Sequence, residues 1–129
     1  MPYNIQVKSV NQGSETYLAA VFTLSTMSPL IMTFEQFQES ILLPAPPDDL
    51  PVLLEALWHD AKGDWEAAHN IAQSREGTRA YDRLHAYLHR VEGDTFNAGY
   101  WYRRAGSEVF KGSLKEEWTY LANLFLQKE

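Results

Sequence analysis

The chain has 129 residues, 45% of them apolar and 22% charged, a balance that supports one buried core and excludes an intrinsically disordered polymer. Its net charge of -6, with no run of Lys or Arg, sets its field against a phosphate backbone, so nucleic acid is not expected as a partner. With no cysteine in the chain, disulfides, thiolate nucleophiles and Cys-ligated metal centres are excluded, and the cytoplasm is the expected compartment.

Residues 1–31 carry only Lys8 and Glu15 as charged side chains and differ in composition from residues 32–129. Ile5-Gln6-Val7-Lys8-Ser9-Val10 alternates like a strand, and Tyr17 to Leu24 reads as a second one after the Asn11-Gln12-Gly13-Ser14 turn. This segment is therefore expected to be extended, strand-like or poorly ordered, a hairpin that is marginal unless it packs on the helices. Thr23, Ser25, Thr26, Ser28 and Pro29 interrupt its apolar stretch, which falls short of the roughly 20 apolar residues of a membrane helix. A membrane partner is not expected. Met32 offers an alternative start, which would make residues 1–31 an upstream extension.

From there the pattern is helical. Thr33-Phe34-Glu35-Gln36 has capping-box spacing, with Phe34, Phe37 and Ile41 on one face, and the spacing predicts a short helix to about Leu42. Pro44, Pro46 and Pro47 end it. Asp48, Asp49 and Pro51 suit a helix N-terminus, and Leu54, Leu57, Trp58 and Ala61 form the apolar stripe of a helix running to Lys62. The same stripe recurs thirty residues later as Leu84, Tyr87, Leu88 and Val91. Ala56, His59, Gly63, Asp64 and Ala68 coincide in register with Ala86, His89, Gly93, Asp94 and Ala98. Two helix–Gly-Asp–helix hairpins follow: at each corner the glycine takes the left-handed conformation and the aspartate caps the next helix. Gly106 and Gly112 break the chain again, and Ser113-Leu114-Lys115-Glu116 opens a last helix with Leu114, Trp118, Leu121 and Phe125 on its apolar face.

These residues define an all-α fold of two tandem hairpins with flanking helices. The recurring Ala, Gly-Asp corner and later Ala resemble the tetratricopeptide and Sel1-like helical repeats, although the thirty-residue offset is shorter than the tetratricopeptide period of about 34 residues. The segment Ala56 to His69, the segment His85 to Asp94 and Tyr100-Trp101-Tyr102-Arg103-Arg104-Ala105-Gly106 are also similar to a family of short uncharacterised bacterial helical proteins. That resemblance spans residues 32–106 and implies no activity or site residues.

His85 and His89 stand at i, i+4, the spacing that lets two imidazoles reach one metal ion, and His59, His69 or Glu55, one turn before His59, is the candidate third ligand. Because His59 and His89 are equivalent in the repeat, a structural role competes: each imidazole would bond a free carbonyl at its helix end or interact with the helix dipole. Tyr100, Trp101, Arg103 and Arg104 form a candidate partner-binding cluster; the competing and favoured reading packs Trp101 and Tyr102 inward and leaves Arg103 and Arg104 solvated, with Glu92 or Asp94 pairing with them. Gly63, Asp64, Gly93 and Asp94 are expected to be structural corners. No nucleophile elbow or phosphate loop occurs, and no cofactor or catalytic residue is expected. The sequence points first to a non-enzymatic helical-repeat module for protein interaction or self-association. Its alternative is a histidine metal-binding protein using His85 and His89 with His59 or His69, which would extend to a metal-dependent hydrolase.

Overall fold

The computed structural model describes residues 32–128. The strand-like and membrane readings of residues 1–31 lie outside the described residues. Among the described residues there are six α-helices and no strand: α1 (Phe34–Ser40), α2 (Val52–Ala61), α3 (Trp65–Gln73), α4 (Arg79–Val91), α5 (Thr95–Arg104) and α6 (Leu114–Lys128). None of these helices is long and apolar enough to cross a membrane.

Local chemistry sets most of the boundaries. Thr33 caps α1 reciprocally with Gln36, at 3.0 Å in both directions, and the helix stops at Ser40, slightly before the expected end. The Trp58 indole N–H donates to Ser40 O, and Lys62 Nζ donates to Ile41 O and Leu43 O, so α2 satisfies the carbonyls that α1 leaves open. At the first corner Gly63 has φ +86°, Gly63 N–H donates to Asp60 O and Asp64 N–H donates to His59 O. At the second, Gly93 has φ +87°, Gly93 N–H donates to Arg90 O and Asp94 N–H donates to His89 O. Both are Schellman closures, which need a residue at positive φ that carries no Cβ penalty. Asp64 Oδ1 then accepts from Ala67 N–H and Asp94 Oδ1 from Asn97 N–H, each at 3.1 Å. The corners match in sequence and in hydrogen bonding. Across them α2 packs on α3, and α4 on α5.

Helix α4 is central. It contacts α3, α5 and α6, and every residue from Asp82 to His89 is buried. Leu84, Ala86, Tyr87 and Leu88 supply the apolar share of this burial, joined by Leu54, Leu57 and Trp58 of α2, Ala68 and Ala72 of α3, and Leu121 and Phe125 of α6. Ala61 departs from expectation: it is exposed at the end of α2, one turn beyond Trp58, where the helix has run past its neighbours.

Beside its apolar stripe, the last helix carries a buried charge that the stripe did not announce. Glu117 is fully buried, and its carboxylate accepts from Arg83 Nη1, from Arg90 Nη1 at 2.6 Å and from the Tyr102 hydroxyl at 2.6 Å. Burial and the neighbouring carboxylate push the Tyr102 hydroxyl up to about 12, so it remains a donor. Arg90 Nη2 also donates to Gly112 O, which ties the loop before α6 to α4. Removing the carboxylate leaves the buried Arg83 guanidinium without its partner and takes one from the half-buried Arg90. Glu117→Ala is expected to cost about 3–5 kcal/mol of unfolding free energy in urea titration, the penalty for breaking a buried ion pair from one side.

Candidate metal centre

Two of the four histidines project from the enclosed helix. His85 and His89, one turn apart on α4, are 2% and 8% exposed. A third, His69, comes from α3, which α4 contacts directly. The register between these helices is fixed by Trp65 at the start of α3, whose indole N–H donates to Leu88 O at 2.7 Å. One turn further on, the His69 ring stacks on the Trp65 indole, with centroids 4.5 Å apart and planes 12° apart. From the other side Trp101 of α5 stacks on His85 at 3.9 Å and 16°. Two indoles therefore hold two imidazole rings in place by flat aromatic contact.

In that arrangement His85 Nε2 and His69 Nε2 lie 2.9 Å apart. His89 Nδ1 is 2.7 Å from Glu92 Oε2, a carboxylate one turn along the same helix end. That contact assigns the Nδ1 proton to the bond with Glu92 and leaves Nε2 as a lone pair, the arrangement by which a carboxylate orients a metal-ligating histidine. Each of His69, His85 and His89 offers one ring nitrogen, and these nitrogens all lie within 4.8 Å of one another. His85 has a further buried nitrogen, Nδ1, with no hydrogen-bond partner. With its proton on Nε2, donated to His69, that nitrogen is a bare lone pair, a smaller burial cost than an unpaired N–H.

Electrostatics favour the neutral forms of His85 and His69. Burial, followed by repulsion from His69 and His89, pushes His85 down to about 4. Burial also lowers His69, with repulsion from His89 adding to it and the carboxylates of Glu92, Glu66 and Glu76 opposing it. A neutral imidazole has a lone pair available to an ion without first losing a proton.

Of the predicted ligands, His69, His85 and His89 converge and His59 does not join them. His59 Nε2 sits 3.5 Å from Glu55 Oε2 on α2, and its ring meets the Trp58 edge. Nor do His59 and His89 bond the helix-end carbonyls expected of them, because the His59 and His89 carbonyls are already taken by the amides of Asp64 and Asp94. Gly63, Asp64, Gly93 and Asp94 all stand at the corners. His89, Glu92 and Asp94 are also mutually close, but Asp94 is engaged through both oxygens by Asn97 and Glu92 is bonded to His89, so these carboxylates cap and orient.

The Tyr100, Trp101, Arg103 and Arg104 cluster divides. Trp101 is buried against His85, while Tyr100 is 40% exposed and the two arginines are exposed. Arg104 lies over the Trp101 and Tyr100 rings and donates to the Tyr100 hydroxyl at 3.0 Å. Glu92 and Asp94 bond His89 and Asn97 instead of the arginines. Sequence reasoning did not find Trp65, Trp101 and Glu92 as supports of the histidines. Two of these supports carry a helical signal, Trp65 with His69 at i, i+4 and His89 with Glu92 at i, i+3.

The described residues thus form an all-α fold with a largely buried histidine cluster between its two Gly-Asp hairpins. No protein-family model, curated protein or solved structure matches it.

The depressed histidine sets a pH dependence. Since His85 titrates lower in the folded state than its usual 6.5, its contribution to stability is complete above that value and is lost as pH falls toward about 4. Between pH 7 and pH 4.5 the wild type is expected to lose more melting temperature than His85→Gln, which cannot charge. Thermal denaturation of both proteins across that range checks it.

Proposed function

We propose that the protein binds a divalent transition-metal ion through His69, His85 and His89. The observation that carries this reading is the convergence of three ring nitrogens within 4.8 Å, in rings already stacked and hydrogen-bonded into position. Burying three imidazoles against one another adds nothing to the core that aliphatic side chains would not supply better, and it leaves one nitrogen of His85 unpartnered. An ion would use this capacity. Three protein ligands with a free coordination position also match the ligand number of catalytic rather than closed structural zinc sites. A cavity of about 330 Å³ lies beside α5, but its walls, which include Arg90, Thr95, Tyr102, Val109 and Leu114, contain none of the three histidines. The reading therefore stops at metal binding and does not extend to hydrolysis.

A second reading keeps the interaction module and rests on a different face. Phe96, 83% exposed, Tyr100 and Arg103 fall at i, i+4, i+7 on α5, an apolar and cationic stripe suited to contact with another protein or a second copy.

Metal addition separates the outcomes. Nickel, zinc or cobalt at one hundred times Kd is expected to stabilise the fold by about 2.7 kcal/mol, read as a rise of several degrees in Tm. His69→Ala should abolish that shift and His59→Ala should leave it. Glu92→Gln should weaken binding by about 10–100-fold, as expected when the group orienting a ligand is lost. No shift with any of these ions would overturn the reading.

A further inference from the structure

The cavity beside α5 shares no histidine with the metal centre and stands independently of it. Helix α5 lends it Ala98, Gly99 and Tyr102, the segment leading into α6 lends it Val109 and Leu114, and Arg90 of α4 also lines it. That segment is tied down along its length. Ser107 N–H donates to Tyr102 O, Phe110 packs on Ala98, Trp101 and Tyr102, and Gly112 O accepts from Arg90. A space of about 330 Å³ is thus held open by the fold, within the range of small-molecule sites.

The polar groups lining it are already engaged. Tyr102 donates its hydroxyl to Glu117, while Arg90 commits Nη1 to Glu117 and Nη2 to Gly112 O. What the cavity offers a ligand is apolar surface from Ala98, Val109, Leu114 and the backbone of Gly99. The helix does not require that glycine. Gly99 is not among the positive-φ glycines, and a Cβ there would meet only the Arg103 guanidinium, at an ordinary 3.6 Å. Glycine inside a helix is less stable than alanine, so what its missing side chain provides is room in the cavity.

The same guanidinium places a cation beside that room. Arg103 is exposed and, among the described residues, pairs with no carboxylate. Residues 95–114 carry Arg103, Arg104 and Lys111 against Glu108 alone, in a chain whose net charge is -6. Arg104 is turned onto the Trp101 and Tyr100 rings, which leaves Arg103 as the cation next to Gly99. A local field of this sign favours an anion, and guanidinium binds carboxylate through two parallel hydrogen bonds. The volume is about eleven times a water's share of the liquid, room for a tail of about eight carbons.

We propose that this cavity binds a small carboxylic acid of that size, its tail against Ala98, Gly99, Val109 and Leu114 and its carboxylate on Arg103. Octanoate, octanol and octylammonium share one tail and differ in head group, so calorimetric titration of the full-length protein with each separates tail from head. Octanoate is expected to bind saturably and roughly tenfold or more tightly than octylammonium. Arg103→Gln should weaken octanoate by roughly 10–100-fold, the loss of a charged hydrogen bond, and leave octanol within about twofold. Gly99→Leu favours the helix and fills the space, so it should abolish binding of octanoate and octanol without lowering Tm. Octanoate failing to bind wild type, binding no tighter than octylammonium, or binding Gly99→Leu unchanged would overturn the proposal. So would sedimentation showing wild type as a dimer and Gly99→Leu as a monomer, since a second copy would then fill the cavity.

Discussion

Helix α4 has no solvent face between Asp82 and His89, yet that stretch carries four polar side chains, and most of what surrounds it follows from having to satisfy them. Asp82 accepts from the Gly77 amide in the preceding loop. Arg83 reaches Glu117 on α6, and Arg90 beyond the stretch meets the same carboxylate. His89 is satisfied by Glu92, and His85 can turn only to His69 of α3. The preceding loop, α3 and α6 are thus each tied to α4 by a specific polar contact as well as by apolar area. His85 is the member of this set that keeps a buried nitrogen unpartnered, and the candidate centre forms around it.

The two faces of α4 divide the labour between stability and chemistry. On the α6 side one carboxylate faces two guanidinium groups and a hydroxyl, so both of its oxygens are engaged by donors. On the α3 side three imidazole rings face one another, and burial holds His69 and His85 toward their neutral forms. The first arrangement is complete without a ligand. The second becomes complete with a cation, which would also link α3 of the first hairpin to α4 of the second.

Much of the fold was legible in the sequence because its punctuation is local. The capping boxes at Thr33 and Ser113 and the glycine-aspartate corners depend on residues at most a few positions apart, and each formed as its spacing required. What depends on packing between helices was less visible. Glu117 sits among polar neighbours in sequence and reads as part of a solvated face; only the two arginines of α4 make its burial possible. The site was half legible: i, i+4 spacing identified His85 and His89, but the choice between His59 and His69 is made by the register of α3 on α4. The Trp65 indole bond to Leu88 O, which no periodicity in the chain encodes, sets that register. The repeat, by pairing His59 with His89, pointed toward a shared role that the corner amides had already taken.

Counting the imidazoles around a bound ion tests the central claim most directly. X-ray absorption fine structure of the nickel-loaded protein should show three imidazole nitrogens in the first shell, at about 2.0–2.1 Å, with their outer-ring scattering. A first shell of oxygen alone, or one with fewer than three imidazoles, would contradict the convergence of His69, His85 and His89 on a single metal.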